Sequence, residues 1–310
     1  MRVVSLLPAA TEIVAALGST DDLVGVSHEC DHPPEVAAKP RVTRCAIHGN
    51  ALPSEAIDRW VTDALARNGT LYTMDEALLR ELAPDVILTQ RLCDVCAVGY
   101  ETVTAFAATL PGPPHVVHLD PSSVSDVLQD IRTVGSALGV PERAAALVAT
   151  LEARIATVVR LVRDAPRRRC VLLEWIAPPF RSGHWGPELV ETAGGLEPLG
   201  RRGEDAARVP WEAVVAAAPD VLMIACCGFD VARALVDVAH LRAASGWATL
   251  PAVRAAEVYV ADGSAYFSRP GPRLVDSLEI LAEILHPSRF SRRFRPAAYR
   301  RLAPEELAPR

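Results

Sequence analysis

Residues 82–93, LAPDVILTQRLC, and residues 217–228, AAPDVLMIACCG, follow the same plan. Each begins as the end of a helix, breaks at Pro-Asp, runs through a short strand and stops in a polar or thiol-bearing loop. Proline cannot continue a helix, and a short apolar run bounded by turn residues reads as a buried strand. The matched surroundings point to a duplicated lobe in which a helix feeds a parallel strand.

Strands and helices alternate on either side of these stretches. RVVSLL, DLVGVSH, DVILTQ and HVVHLD are short strands of the first part, with SEAIDRWVTDALAR and MDEALLRELA as helices between them, starting at Ser54 and near Asp75. MRVVSLLPAATEIVAALG reads as a strand over Val3–Leu6, a turn at Pro8, and a helix capped by Thr11 and closed by Gly18. Pro8 and Glu12 break its apolar run, so it is not read as a secretory signal. The expected location is the cytoplasm as written, or outside the membrane if the true start lies upstream. No run reaches the roughly 18 apolar residues of a membrane span.

Val124, Val127, Leu128, Ile131, Val134 and Leu138 recur at helical spacing, and Gly139 ends that helix. Pro141 opens the next one, with Leu147, Leu151, Ile155, Val158 and Val162 on one face. From Glu142 to Arg163 it would span about 33 Å at 1.5 Å per residue. The α/β pattern then restarts at CVLLEW. The expected fold is α/β: two similar three-layer lobes joined by a long spine helix. The expected boundaries are a first lobe over 1–122, a helical spine over 123–165, a second lobe over 166–290 and a tail over 291–310. The cleft between the lobes is the default ligand site.

The chain has 310 residues, 50% of them apolar and 23% charged, enough for a real core. A net charge of -6 and a pI near 5.8 argue against a nucleic-acid footprint. Seven cysteines favour reduced thiols, metal ligands or a reactive site over structural bridges.

Ligands of open α/β sheets bind beyond the carboxyl ends of the strands, and the unusual residues of this chain gather there. SHECDH supplies His28, Glu29 and Cys30; Gln90, Cys93 and Cys96 follow DVILT; Glu174, Trp175, His184 and Trp185 follow CVLL. Cys226 and Cys227 follow DVLMIA, and Tyr266, Phe267 and Arg269 follow EVYVADG. These fifteen residues are the candidate ligand contacts. The Cys93–Cys96 pair reads as a redox centre, part of a metal site with Cys30 and His28, or a pocket rim. Asp94 between the thiols opposes thiolate formation and weakens the redox reading. Arg273 either faces a ligand or pairs with Asp276 or Glu279 on its own helix. Cys45 is given no role, Cys170 reads as an inert buried thiol, and His48, His115, His118, His240 and His286 read as surface or structural. No Gly-x-Ser-x-Gly, phosphate loop or His-Glu-x-x-His is present.

SLLPAATEIVAALG, LAPDVILTQ, AAPDVLMIA and the long central helix resemble the cobalamin and ferric-siderophore class of substrate-binding proteins. The resemblance covers residues 1 to 286. SHECDHP, CDVCAV, EWIAPPFRSGHWGPE and YFSRPGPRLVD resemble its branch usually labelled cobalamin-binding. The resemblance implies two α/β lobes around a rigid helical connection, with a ligand clamped in a shallow cleft and passed to the membrane subunits of an ABC importer without chemistry. A cobalamin-like corrinoid is the implied ligand. Trp185, Tyr266 and Phe267 would serve as walls and Arg269 as a polar reach, with His28 or a cysteine positioned to meet the cobalt. No direct membrane insertion is implied. The thiol- and histidine-rich loops depart from the secreted members and leave a second expectation: a zinc or iron protein, or a metal-dependent enzyme on this fold, centred on Cys93, Cys96, Cys30 and His28.

Overall fold

The computed structural model describes residues 1–45, 47, 52–68, 70–90, 98–291, 294 and 298–308. The chain divides into two units. The first comprises Met1–Gly49, Arg59–Pro121 and Ser125–Leu151; the second comprises Asn50–Asp58, Ser122–Val124 and Glu152–Arg310. Residues 125–151, expected as part of a separate spine, therefore cluster with the first unit.

In chain order the elements begin with β1 (Val3–Ser5), α1 (Pro8–Ala16), β2 (Leu23–Val26), β3 (Thr43–Cys45) and α2 (Ser54–Asn68). Next come β4 (Tyr72–Met74), α3 (Glu76–Leu82), β5 (Val86–Gln90), α4 (Tyr100–Ala107), β6 (His115–Leu119), α5 (Val124–Ala137) and α6 (Pro141–Val162). β2-β1-β5-β6 form one parallel sheet, and β3 and β4 form an antiparallel pair. Val4 and Ile87 are register partners, and their side chains join Leu79 of α3 and Val103 and Phe106 of α4 in one buried cluster. α6 belongs to the first unit as far as Leu151 and to the second from Glu152.

The second unit continues with β7 (Cys170–Trp175), β8 (Phe180–Arg181), α7 (Gly186–Thr192), β9 (Ala207–Arg208), α8 (Trp211–Ala217), β10 (Val221–Ile224) and α9 (Val231–Arg242). It closes with α10 (Pro251–Arg254), β11 (Val258–Ala261), a five-residue π turn (Gly263–Phe267), α11 (Leu274–Leu285) and β12 (Tyr299–Arg301). Its sheet runs β12-β11-β10-β7-β8-β9, with β11, β10 and β7 parallel and the outer strands antiparallel. The last twenty residues, expected as a tail, thus supply an edge strand.

The duplicated motif is built twice with the same bonds. α3 ends on Ala83 (φ 38°) and α8 on Ala218 (φ 44°), each in the left-handed conformation before Pro-Asp. The Asp85 carboxylate then accepts the N–H of Arg2 at 2.7 Å, just ahead of β1. Asp220 accepts that of Arg169 at 2.8 Å, just ahead of β7. In both units this latch sets the parallel pairing, β1 with β5 and β7 with β10.

One local expectation is corrected. Thr11 lies inside α1, not at its cap, because Pro8 already starts the helix. Its buried hydroxyl donates to Ser5 Oγ instead. Arg154 of α6 holds the Asp276 and Glu279 carboxylates, the second at 2.8 Å. The Arg273 guanidinium lies over the Tyr266 ring at 5.5 Å.

Candidate functional site

Ser5 and Val26 are register partners at the ends of β1 and β2, so the residues after both strands emerge on one side of the first unit. There Leu6, Ser27, His28, Glu29, Thr43, Tyr72 and Val98 line a pocket. The His28 N–H donates to Thr43 Oγ1 at 3.1 Å, and ring Nδ1 meets the same oxygen at 2.8 Å. The imidazole lies 5.4 Å from the Tyr72 ring, with Nε2 3.3 Å from Glu29 Oε1. Burial disfavours charge on His28, but contacts with Cys45 and Glu29 outweigh it and raise the imidazole to about 9.

Cys30 does not join this pocket. It is 1% exposed, and its thiol lies 3.1 Å from Thr11 Oγ1 and 3.2 Å from Ser27 Oγ. Burial pushes the thiol up, against the thiolate a metal would need. The structure therefore withdraws Cys30 from the expected ligand and metal sets. Gln90 is a buried strand residue at the end of β5. Cys93 and Cys96 lie outside the described residues. Among the described residues no three His, Cys, Asp or Glu side chains are grouped to hold a metal. His28 keeps its pocket position, but its partners are Thr43, Glu29, Tyr72 and Cys45. The β3–β4 pair that supplies three of them is too short to stand out as alternating strands.

In the second unit β7 ends on Glu174 and Trp175. The Glu174 carboxylate is enclosed and accepts the Gly183 N–H at 3.0 Å. Burial lifts it to about 8 against the pull of that hydrogen bond. Trp175 stays partly exposed, its ring 4.9 Å from Phe229 and its Nε1 donating to the Ser54 carbonyl at 3.3 Å. Cys227 is exposed at the turn after β10, and its N–H donates to the Glu174 carbonyl at 3.1 Å. His184 has φ 46° and stacks on Trp185 with centroids 5.5 Å apart. Tyr266 is partly exposed and meets Phe294 edge-on at 6.4 Å.

Four expected contacts of this unit are interior. Trp185 is 7% exposed, and its Nε1 donates to the Phe267 carbonyl at 2.9 Å, fastening the π turn to α7. Phe267, Cys226 and Arg269 are buried, with Arg269 Nη2 3.2 Å from Ser264 Oγ. Trp185 and Phe267 therefore hold the loop's frame and are corrected from the wall role. Trp175 and Tyr266 are the aromatic side chains of the expected set that keep exposure here.

Gly263 makes this arrangement possible. A Cβ there would lie 2.2 Å from the Cys226 carbonyl oxygen and 2.7 Å from the Ala225 carbonyl carbon. Both are backbone atoms at the end of β10, so no side chain can swing away. Gly263→Ala is expected to destabilise the protein by about 1–3 kcal/mol. Urea unfolding checks this, and an unchanged midpoint would show that the turn can shift freely.

Each of the two α/β units carries polar and aromatic side chains past its strand ends, and α6 runs from the first unit into the second. The chain belongs to the periplasmic binding protein family, whose model matches residues 3–265. It is similar to the uncharacterized ABC transporter substrate-binding lipoprotein YvrC of Bacillus subtilis (strain 168), at 24% identity over 302 residues, 93% of this chain and 81% of that one. Among solved structures it is similar to the periplasmic heme-binding protein RhuT from Roseiflexus sp. RS-1 in apo form, at 25% identity and TM-score 0.67, covering 93% of this chain and 99% of that one. It also shares its fold with the periplasmic vitamin B12 binding protein BtuF of Vibrio cholerae, at 20% identity and TM-score 0.66, covering 94% and 98%. The α/β, class III type of fold expected from the sequence is borne out. Among the described residues no helix is long and apolar enough to cross a membrane.

Proposed function

We propose that the protein is the substrate-binding component of an ABC importer and that it takes up a cobalamin-like corrinoid, without chemistry. The observation that carries this reading is the placement of polar and aromatic side chains past parallel strand ends in both units: His28 and Glu29 after β2, Trp175 at the end of β7, Tyr266 after β11. An amide-rimmed macrocycle needs that combination, with aromatic faces for the ring and donors or acceptors for its edge. The relatives named for heme and vitamin B12 both take flat macrocycles around one metal, which supports the ligand class. The SHECDHP and YFSRPGPRLVD motifs favour the corrinoid within it. An extracytoplasmic site of action and importer membrane subunits as partners go with this proposal.

Cyanocobalamin and hemin, titrated separately into the purified protein, test it. The expected result is 1:1 binding of cyanocobalamin with a changed corrin absorbance and a higher melting temperature. At a hundred times Kd, ligand linkage adds about 2.7 kcal/mol of stability. Trp175→Ala is expected to weaken binding. Binding of hemin alone would replace the corrinoid by a porphyrin, and no response to either would remove the macrocycle reading.

A further inference from the structure

Resting on the corrinoid reading above, we propose that Glu174 is a specificity-determining residue of the second unit: its neutral carboxyl donates a hydrogen bond from Oε2 to a carboxamide oxygen at the ligand's rim. Glu174 is the last residue but one of β7, and its carbonyl accepts the Cys227 N–H at 3.1 Å. That bond sets it beside the exposed turn that follows β10. Toward the Gly183–Gly186 turn the carboxyl is closed in. Oε1 accepts the Gly183 N–H at 3.0 Å, and a Cβ on Gly186 would lie 3.1 Å from the same oxygen. Oε2 is different. The residue keeps partial exposure, and Oε2, which takes no hydrogen bond among the described residues, is not one of the sealed polar atoms of the fold. With Oε1 fixed as an acceptor, the proton of a neutral carboxyl belongs on Oε2, where it can be donated outward.

The surroundings supply one donor and no cation, and an enclosed carboxylate so placed favours its neutral form. Arg181 of β8 gives Nη2 to Glu204 at 3.0 Å and Nη1 to the Ser182 carbonyl. His184, beside Gly183, faces Asp205 at 3.7 Å. Glu197 accepts the N–H groups of Leu172, Leu199 and Gly200, and Glu188 of α7 accepts that of Val124. Burial is the first cause of the rise of Glu174 to about 8; the Gly183 N–H and Arg181 oppose it, and Cys227 and Glu197 add to it. A neutral Oε2–H fits a carbonyl oxygen. An ionised Oε2 would set two acceptors face to face and leave both unsatisfied, which is selection by an unpaired polar group.

The test is titration of cyanocobalamin into the parent and Glu174→Gln from pH 6.5 to 9, with native circular dichroism checked at each pH. The ligand's carboxamides do not titrate in this range. The neutral fraction of a group centred near 8 falls about tenfold between pH 7 and pH 9, so the parent's Kd is expected to rise about tenfold. The glutamine keeps an acceptor for Gly183 and an N–H for the ligand. It is expected to bind about threefold more weakly than the parent at pH 7, an amide being the weaker donor, and to lack the rise. The two Kd profiles therefore cross, which a merely structural role would not produce. Asp130 and His28 titrate in the same range in the first unit, so the difference between the profiles is the readout. A level parent profile, or a rise that both proteins share, overturns the assignment of Glu174 and leaves the corrinoid reading intact. No cyanocobalamin bound at any pH overturns both.

Discussion

Asp237→Ala is expected to cost about 3–5 kcal/mol of stability, the range for removing one partner of a buried ion pair. Asp237 is 2% exposed on α9, 3.2 Å from Arg233 one turn earlier. Its Oδ2 also accepts the Ser54 N–H at 2.9 Å, where α2 begins. A helix N-terminus carries unsatisfied donors and partial positive charge, so this carboxylate answers two demands at once. Arg233 is committed as well: its guanidinium lies 4.0 Å above the Phe229 ring and donates to the Leu52 carbonyl. Without Asp237 the arginine becomes a buried charge without its counter-ion, and Ser54 loses its acceptor. Asp237→Asn keeps an acceptor for Ser54 and should cost less. Urea unfolding of the two variants measures the difference, and equal midpoints for both and the parent would show that the pair contributes nothing.

Glu174→Gln is expected to flatten the pH dependence of stability. A carboxyl raised to about 8 in the folded protein, against about 4.3 when unfolded, keeps a proton that the unfolded chain has lost. Between those values the folded state binds more protons, so stability falls as pH rises. The shift is worth on the order of 4 kcal/mol at pH 8. Asp130, which burial and then Asp126 and Asp120 raise to about 7, slopes the same way. His28 does too, since its contribution is full below its unfolded value and is lost through about 9. The glutamine can still accept the Gly183 N–H but has nothing to titrate. Its unfolding free energy should therefore exceed the parent's at pH 8 and vary less from pH 5 to 8. Parallel pH profiles for the two proteins would show that Glu174 is ionised in the fold.

Much of the architecture is legible because it rests on local chemistry. CVLLEW forms β7 over its whole length, Asp75 caps α3 through the Leu78 N–H, and Leu274, Leu278, Leu281 and Leu285 face the core from α11. Periodicity and capping act over a few residues, and they leave marks that short. The site is less legible because it depends on which way a strand-end side chain turns. Cys30 and His28 are two residues apart, yet one points into Thr11 and Ser27 while the other lies on Thr43. Trp185 reads as a wall until its indole is seen to hold the Phe267 carbonyl. His28 meets Thr43 only because β3 lies beside the β2 exit, a contact between segments that no local pattern records.

The paired Asp latches also bear on how the chain finds its fold. In the first unit the latch joins residues 83 positions apart, and in the second 51. Both are long loops to close before any strand contact is formed, which favours slow, search-limited folding. Closure entropy grows only with the logarithm of loop length, so the shorter loop is favoured by about 0.4 kcal/mol. Two copies of one bonding plan thus start the search with nearly equal odds, the second slightly ahead.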